Sequence, residues 1–135
     1  MDFTNSLSPG LEARKSETVS ERNTALALGS GSLGVYATPA MIALMEAAAL
    51  SAVGEFLPAG FSTVGTEINI KHISATPVGM KVYARAELIS MEGKALSFKV
   101  EAFDEAGIIG EGIHRRFIIE NERFMNKTAG KNKPA

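Results

Sequence analysis

Along this chain the spacing of apolar positions changes once, from a continuous helical run to a period of two. The segment TPAMIALMEAAALSAVGEF, Thr38 to Phe56, predicts a helix that is apolar nearly all round, as expected of a helix enclosed by other structure. Thr38 predicts the N-cap and Pro39 the first helical position, and Pro58 and Gly60 end the helix. Ahead of it, Leu11 to Val19 predicts a first strand with imperfect alternation.

After the helix the alternation is that of strands. Thr66 to Ile73 places Thr66, Ile68, Ile70 and His72 on one face, which is the buried one, and Glu67, Asn69 and Lys71 on the other. Lys81 to Met91 turns Val82, Ala84, Ala86 and Leu88 inward and Lys81, Tyr83, Arg85 and Glu87 outward. A tight turn at Glu92-Gly93 leads to a strand with Leu96, Phe98, Val100 and Ala102 inward, and a second turn at Asp104 to Gly107 leads to the last, Ile108 to Glu120. The expectation is an α+β fold: one strand, one long central helix, then four consecutive antiparallel strands, so that a single sheet of about five strands wraps one helix. Residues 1–10 read as a tail, 11–122 as a single domain, and 123–135 as a basic tail with a short helical turn at Glu122 to Asn126.

Composition narrows the function classes. The chain has 135 residues with 14 Lys+Arg against 15 Asp+Glu, a net charge of −1, so it is one domain without the basic bias that nucleic acid selects. It has no cysteine, which excludes disulfides, thiolate metal sites and cysteine nucleophiles, and its two histidines, His72 and His114, have no metal-ligand spacing. No metal is expected. Val35 to Gly54 is long enough to cross a bilayer, but Pro39 and the central Glu46 point to a core helix instead. The N-terminal residues lack the pattern of a secretory signal, so a cytoplasmic home without a membrane partner is expected.

Glu46 is the most informative residue, because no other charged residue stands between Arg22 and Glu55. A carboxylate inside an apolar helix is costly unless it is hydrogen-bonded or opens onto a pocket, and burial would move its titration towards that of a general base. The plainer alternative is an exposed stripe or an ion pair across a dimer interface. His72, on the apolar strand face, is by itself a satisfied core histidine, and with Glu46 it makes an acid/base pair. Thr38 lies eight residues before Glu46, within roughly 80° of it around the helix axis, at a helix start suited to an oxyanion.

Residues Gly29 to Gly34, GSGSLG, match G-x-G-x-x-G. The helix opens only at Thr38, and no acidic residue follows at the distance a dinucleotide fold requires, so the segment reads as a flexible loop over a pocket. On the last strand Gly110, Gly112, His114 and Arg116 share a face, the glycines allowing close approach of backbone or ligand. His114 reads as structural or interfacial, and Arg115 and Arg116 as ion-paired or within reach of a phosphate.

The runs YATPAMIALMEAAAL, VGTEINIKHISATPVG and VYARAELISMEGKALSFKVEAFDEAGIIGEGIHRRFII, within a stretch from about Gly10 to Lys127, resemble the hot-dog-fold thioesterases of the fluoroacetyl-CoA thioesterase type. The resemblance implies a hot-dog fold and hydrolysis of an acyl-CoA thioester. It places the catalytic trio on Thr38, Glu46 and His72 and sets Gly65 beside the thioester carbonyl; Tyr36 and Arg116 join Gly65 as substrate-binding candidates. No cofactor is implied beyond the CoA of the substrate. A homodimer or dimer of dimers is implied, with the pocket at the subunit interface. Where the fluoroacetyl-specific enzyme closes aromatic residues over a tiny acyl group, this chain has Gly29 to Gly34 with Leu33, which points to a different short or medium acyl group. The alternatives are a non-catalytic acyl-CoA or acyl-chain binding module with the same pocket and, last, a hot-dog hydratase or dehydratase.

Overall fold

The alternating residues of two long strands form the middle of one antiparallel sheet in the computed structural model, which describes residues 6–132. In chain order the elements are β1 (Glu12–Thr18), a one-turn helix α1 (Ala25–Leu28), the long helix α2 (Thr38–Gly54), β2 (Phe61–His72), β3 (Lys81–Glu92), β4 (Ala95–Asp104), β5 (Gly107–Glu120) and the helix α3 (Asn121–Ala129). The inward sets of β3 and β4 are buried as their period of two predicts: Val82, Ala84, Ala86 and Leu88 on one, Leu96, Phe98, Val100 and Ala102 on the other. With Met41, Met45, Ala48, Ala49 and Val53 of α2 they make the core.

The sheet order, β1-β3-β4-β5-β2, corrects the expected run of four consecutive neighbours. β3, β4 and β5 do follow one another, but β2 leaves its sequence neighbour β3 and pairs with β5 at the far edge, while β1 pairs with β3. The loop from Ile73 to Met80 crosses between them. Apolar alternation fixes which face a residue occupies, but not which strand lies beside it.

β2 begins at Phe61, five residues before the expected start, and contains a bulge between Gly65 and Glu67. Gly65 pairs with Arg116 and, beyond the bulge, Ile68, Ile70 and His72 pair with His114, Gly112 and Gly110, so all four stand on the helix side of the sheet. That face is the one expected for Ile68, Ile70 and His72, yet it is not buried. Thr66 is the extra residue, Ile68 is 40% exposed, and Ile70 and His72 are only half-buried. The reason is placement: α2 lies chiefly over β1 and β3, leaving the helix side of the edge strand open.

The same geometry corrects the enclosed helix. Ala43 and Leu50 are exposed, Ile42, Glu46 and Ala47 half-buried, and together they run along the uncovered flank of α2. The helix also starts and stops slightly differently: Ala37 occupies the N-cap position with no side-chain cap, and Gly54 is the last helical residue. At the chain ends, Leu7 is buried in the core, so the inner end of the expected N-terminal tail packs onto the domain. Much of the stretch read as a C-terminal tail is the helix α3. Residues 1–5 and 133–135 of those two tails lie outside the described residues.

At Gly112 the backbone of β2 leaves no room for a side chain on β5. A Cβ there would lie 2.1 Å from the Asn69 carbonyl oxygen and 2.8 Å from the Ile70 Cα, which are backbone atoms that cannot swing aside. We expect Gly112→Ala to prise β2 from β5 and to lower the free energy of unfolding by about 1–3 kcal/mol, read by guanidinium denaturation. An unchanged midpoint would contradict the register.

Candidate active site

The start of α2 and the end of β2 meet at a hydroxyl and an imidazole. Thr38, expected to cap the helix, is instead its first residue, and its Oγ1 lies 2.7 Å from Nδ1 of His72. With the capping role absent, the hydroxyl is committed to the histidine. The other ring nitrogen, Nε2, is buried and has no hydrogen-bond partner among the described residues. Burial holds the imidazolium of His72 below the ordinary histidine range, a backbone hydrogen bond with Ser74 working the other way. The ring is therefore neutral at pH 7, with one nitrogen held and the other open to a reaction partner.

A cavity of about 310 Å³ opens beside this pair, lined by Ala25, Ser30, Val35 and Tyr36 as well as Thr38 and His72. Its wall is the glycine-rich segment, whose ends are pinned by backbone hydrogen bonds: Leu26 N–H to Leu33 C=O, Ser30 N–H to Ala25 C=O, and Tyr36 N–H to Thr76 C=O. Only Gly29, closing α1 at φ 70°, needs the left-handed conformation that glycine supplies. Leu26 and Leu28 of α1 and Leu33 of the glycine-rich segment are exposed. Tyr36 is buried and its hydroxyl donates to Glu17, so it shapes the wall with its backbone and ring while the hydroxyl is already spent. Burial first, and the Glu17 carboxylate second, raise that phenol far above its usual range.

Glu46 belongs to a second cluster. Its side chain is 41% exposed, which corrects the expected burial, and Oε2 lies 3.7 Å from Nη1 of Arg116. It faces Gly65, where a Cβ would come within 2.9 Å of the same oxygen, so the missing side chain is the room the carboxylate occupies. Arg116 is buried and held by Thr63 on both sides, Nε donating to Oγ1 at 2.8 Å and Nη2 to the carbonyl at 2.9 Å. His114, fully buried, completes the group: it lies 3.0 Å from Arg116 Nη1 through Nε2 and 2.8 Å from the Glu67 carbonyl through Nδ1. Arg116 is thus an inner residue, whereas Arg115 points to the other face and pairs with Glu67.

The structure therefore brings the sequence candidates together in two sets: Thr38 with His72 and, near its wall, Tyr36; and Glu46 with Gly65 and Arg116. Within one chain the sets stand apart. Gly65 and His72 are seven residues apart along β2, roughly 23 Å of extended strand, and Thr38 and Glu46 are eight apart along α2, about 12 Å of helix. Thr63 was outside the sequence reading because the strand was expected to begin after it. His114 had a visible signal, two residues from Arg116 on one strand face, but its partner is a carbonyl that only the bulge turns inward.

Comparison with known proteins bears on the chemistry of these sets. The family model described as fluoroacetyl-CoA-specific thioesterase matches residues 19–122. The fluoroacetyl-CoA thioesterase of Streptantibioticus cattleyicolor is 42% identical over 97 residues, covering 72% of this chain and 70% of that protein. A solved structure of the fluoroacetyl-CoA thioesterase superposes with a TM-score of 0.85 at 34% identity, over 95% of this chain and 98% of the other. A hot-dog-like protein from Thermanaerovibrio acidaminovorans superposes with a TM-score of 0.90 over 100% of both chains at 21% identity, a likeness of fold alone. With a helix laid across a five-stranded antiparallel sheet and a match running through both clusters, the chain belongs to the fluoroacetyl-CoA-specific thioesterase family of hot-dog enzymes.

Proposed function

We propose that the protein hydrolyses acyl-CoA thioesters, in the cytoplasm, at sites built from two copies of the chain. The observation that carries this is a pair of side-chain clusters spaced along an open edge strand, one at Thr63 and Gly65 and the other at its last residue, His72. β2 has no neighbour on its outer side among the described residues, and the exposed flank of α2 runs beside it. A second copy adding its β2 antiparallel, about a two-fold axis at Asn69 and with Thr66 as the extra residue, sets Gly65 of one copy opposite His72 of the other. It also covers Ile68. Each dimer then holds two sites, each with Thr38 and His72 from one copy and Glu46, Gly65 and Arg116 from the other; pairing of two such dimers is compatible with this arrangement.

In such a site water adds to the thioester carbonyl, the C–S bond breaks, and a carboxylate and the CoA thiol leave. Glu46 supplies the carboxylate, as base towards water or as nucleophile. Gly65 leaves room beside the carbonyl, Arg116 places positive charge by the developing oxyanion, and neutral His72, oriented by Thr38, accepts at Nε2 the proton that the attacking water releases and passes it to the departing thiolate. Hydroxylamine trapping of an acyl adduct on Glu46 distinguishes nucleophile from base. The apolar side chains of Ala25, Val35 and Ile73 lining the cavity favour a short or medium apolar acyl group over fluoroacetyl.

Thiol release from acyl-CoA thioesters, acetyl to dodecanoyl, is expected for the wild type and collapses by roughly 100-fold or more in Glu46→Gln, since the reacting carboxylate is gone. Mixing inactive Glu46→Gln with inactive His72→Ala tests the shared site. Subunit exchange regenerates one intact site per mixed dimer, about a quarter of wild-type activity at equal amounts, whereas sites confined to one chain regenerate none. As for pH, burial depresses the His72 imidazolium, so its ring resonance in proton NMR is expected to titrate with a midpoint below the ordinary 6.5. The neutral ring then persists as pH falls through that value; a midpoint at or above it contradicts the assignment.

A further inference from the structure

The cluster behind Glu46 contains a histidine that the proposed reaction does not use. We infer that His114 is a positioning residue: as a neutral ring protonated on Nδ1, it ties the bulge of β2 to Arg116 and so fixes Arg116 Nη1 against the Glu46 carboxylate. The catalytic consequence rests on the thioesterase reading above; the geometry does not.

The tautomer follows from the two partners. The Glu67 carbonyl, 2.8 Å from Nδ1, can only accept, so Nδ1 carries a proton. The Arg116 guanidinium, 3.0 Å from Nε2, can only donate, so Nε2 offers a lone pair. An imidazolium would present two donors, one of them aimed at a guanidinium N–H. The groups around the ring are Arg116 on its own strand, Glu46 from α2, the Glu67 carbonyl and Gly65 from β2, and Phe98 from β4, its ring centroid 6.4 Å away. Burial and the adjacent Arg116 act in one direction, and the Glu67 carbonyl and the Glu46 carboxylate in the other; burial is the largest of these and holds the ring neutral.

The contacts also straddle the irregularity in the strand. Thr63 lies before the bulge and accepts from Nε and Nη2 of Arg116; Glu67 lies after it and accepts from His114. The two side chains, joined at Nε2 and Nη1, clamp both sides of Thr66 and leave Gly65 between them, facing the carboxylate. Nη1 is at once the atom His114 holds and the atom nearest Glu46. Loss of the acceptor at Nε2 frees Nη1 to turn, and with it the charge beside the reacting group.

The test combines a spectroscopic reading with two variants. In the ¹⁵N-labelled wild type at pH 7, ring nitrogen shifts are expected to show His114 protonated on Nδ1 alone. His114→Asn keeps a donor towards Glu67 but does not reach Arg116, whereas His114→Gln returns an acceptor near the Nε2 position. With the acyl-CoA that the wild type turns over best, His114→Asn is expected to lose roughly 100-fold in kcat, the scale of a small misplacement of a reacting group, with KM close to wild type. His114→Gln is expected to recover most of that loss. Wild-type kcat in His114→Asn, a rise confined to KM, or a ring protonated on Nε2 overturns the inference. If His114→Asn does not fold, the wild-type nitrogen shifts decide. If the wild type releases thiol from no acyl-CoA, the functional reading fails, and the tautomer measurement still decides the clamp.

Discussion

A strand that runs straight past a helix shows it every second side chain, so one extra residue in β2 re-aims everything on either side of it. The insertion at Thr66 keeps Thr63 and Gly65 on the helix side before the bulge and Ile68, Ile70 and His72 on the same side after it. Without that shift, either the Gly65 end or the His72 end would face away from α2. The bulge is held from behind by His114 and Arg116, two of the buried polar side chains in a mostly apolar interior: apart from the contact between them, each hydrogen bond they make goes to the strand that carries the irregularity.

The electrostatics follow from the same arrangement. Arg116 is taken out of water at a cost, met by Thr63 and by the neutral His114, and its remaining charge is directed at Glu46. Glu46 keeps contact with solvent, while His72 is partly desolvated and neutral. One cluster thus consists of a carboxylate beside a fixed cation, the other of an uncharged imidazole held by a hydroxyl. That division suits hydrolysis of a thioester, in which negative charge develops on oxygen and a proton must reach sulfur.

The open faces belong to this logic as well. An edge strand with Ile68 exposed, beside a helix whose Ala43 and Leu50 flank is uncovered, is a poor end state for a chain alone in water and a good one for a chain that pairs with its copy. In the proposed dimer, pairing of the edge strands is also what brings the two clusters together.

The sequence by itself determined the elements and the candidates. The all-apolar helix, the inward sets of β3 and β4, and the isolation of Glu46 and His72 could be read from local periodicity, because burial of alternate or helical positions is a local demand. The runs shared with the thioesterases supplied the fold and the reaction. Only the tertiary structure decided the rest. Strand order, the bulge and the early start of β2 depend on which strands pair, and pairing joins residues as far apart as Glu12 and Glu87, with no local signature. For the same reason Thr38 turned from cap to histidine partner, Glu46 from buried to half-exposed, and His114 from a structural or interfacial residue of unknown contacts to the partner of Arg116 and the Glu67 carbonyl. A residue's type is written in the sequence, but its solvation and its partners are set by what folds against it.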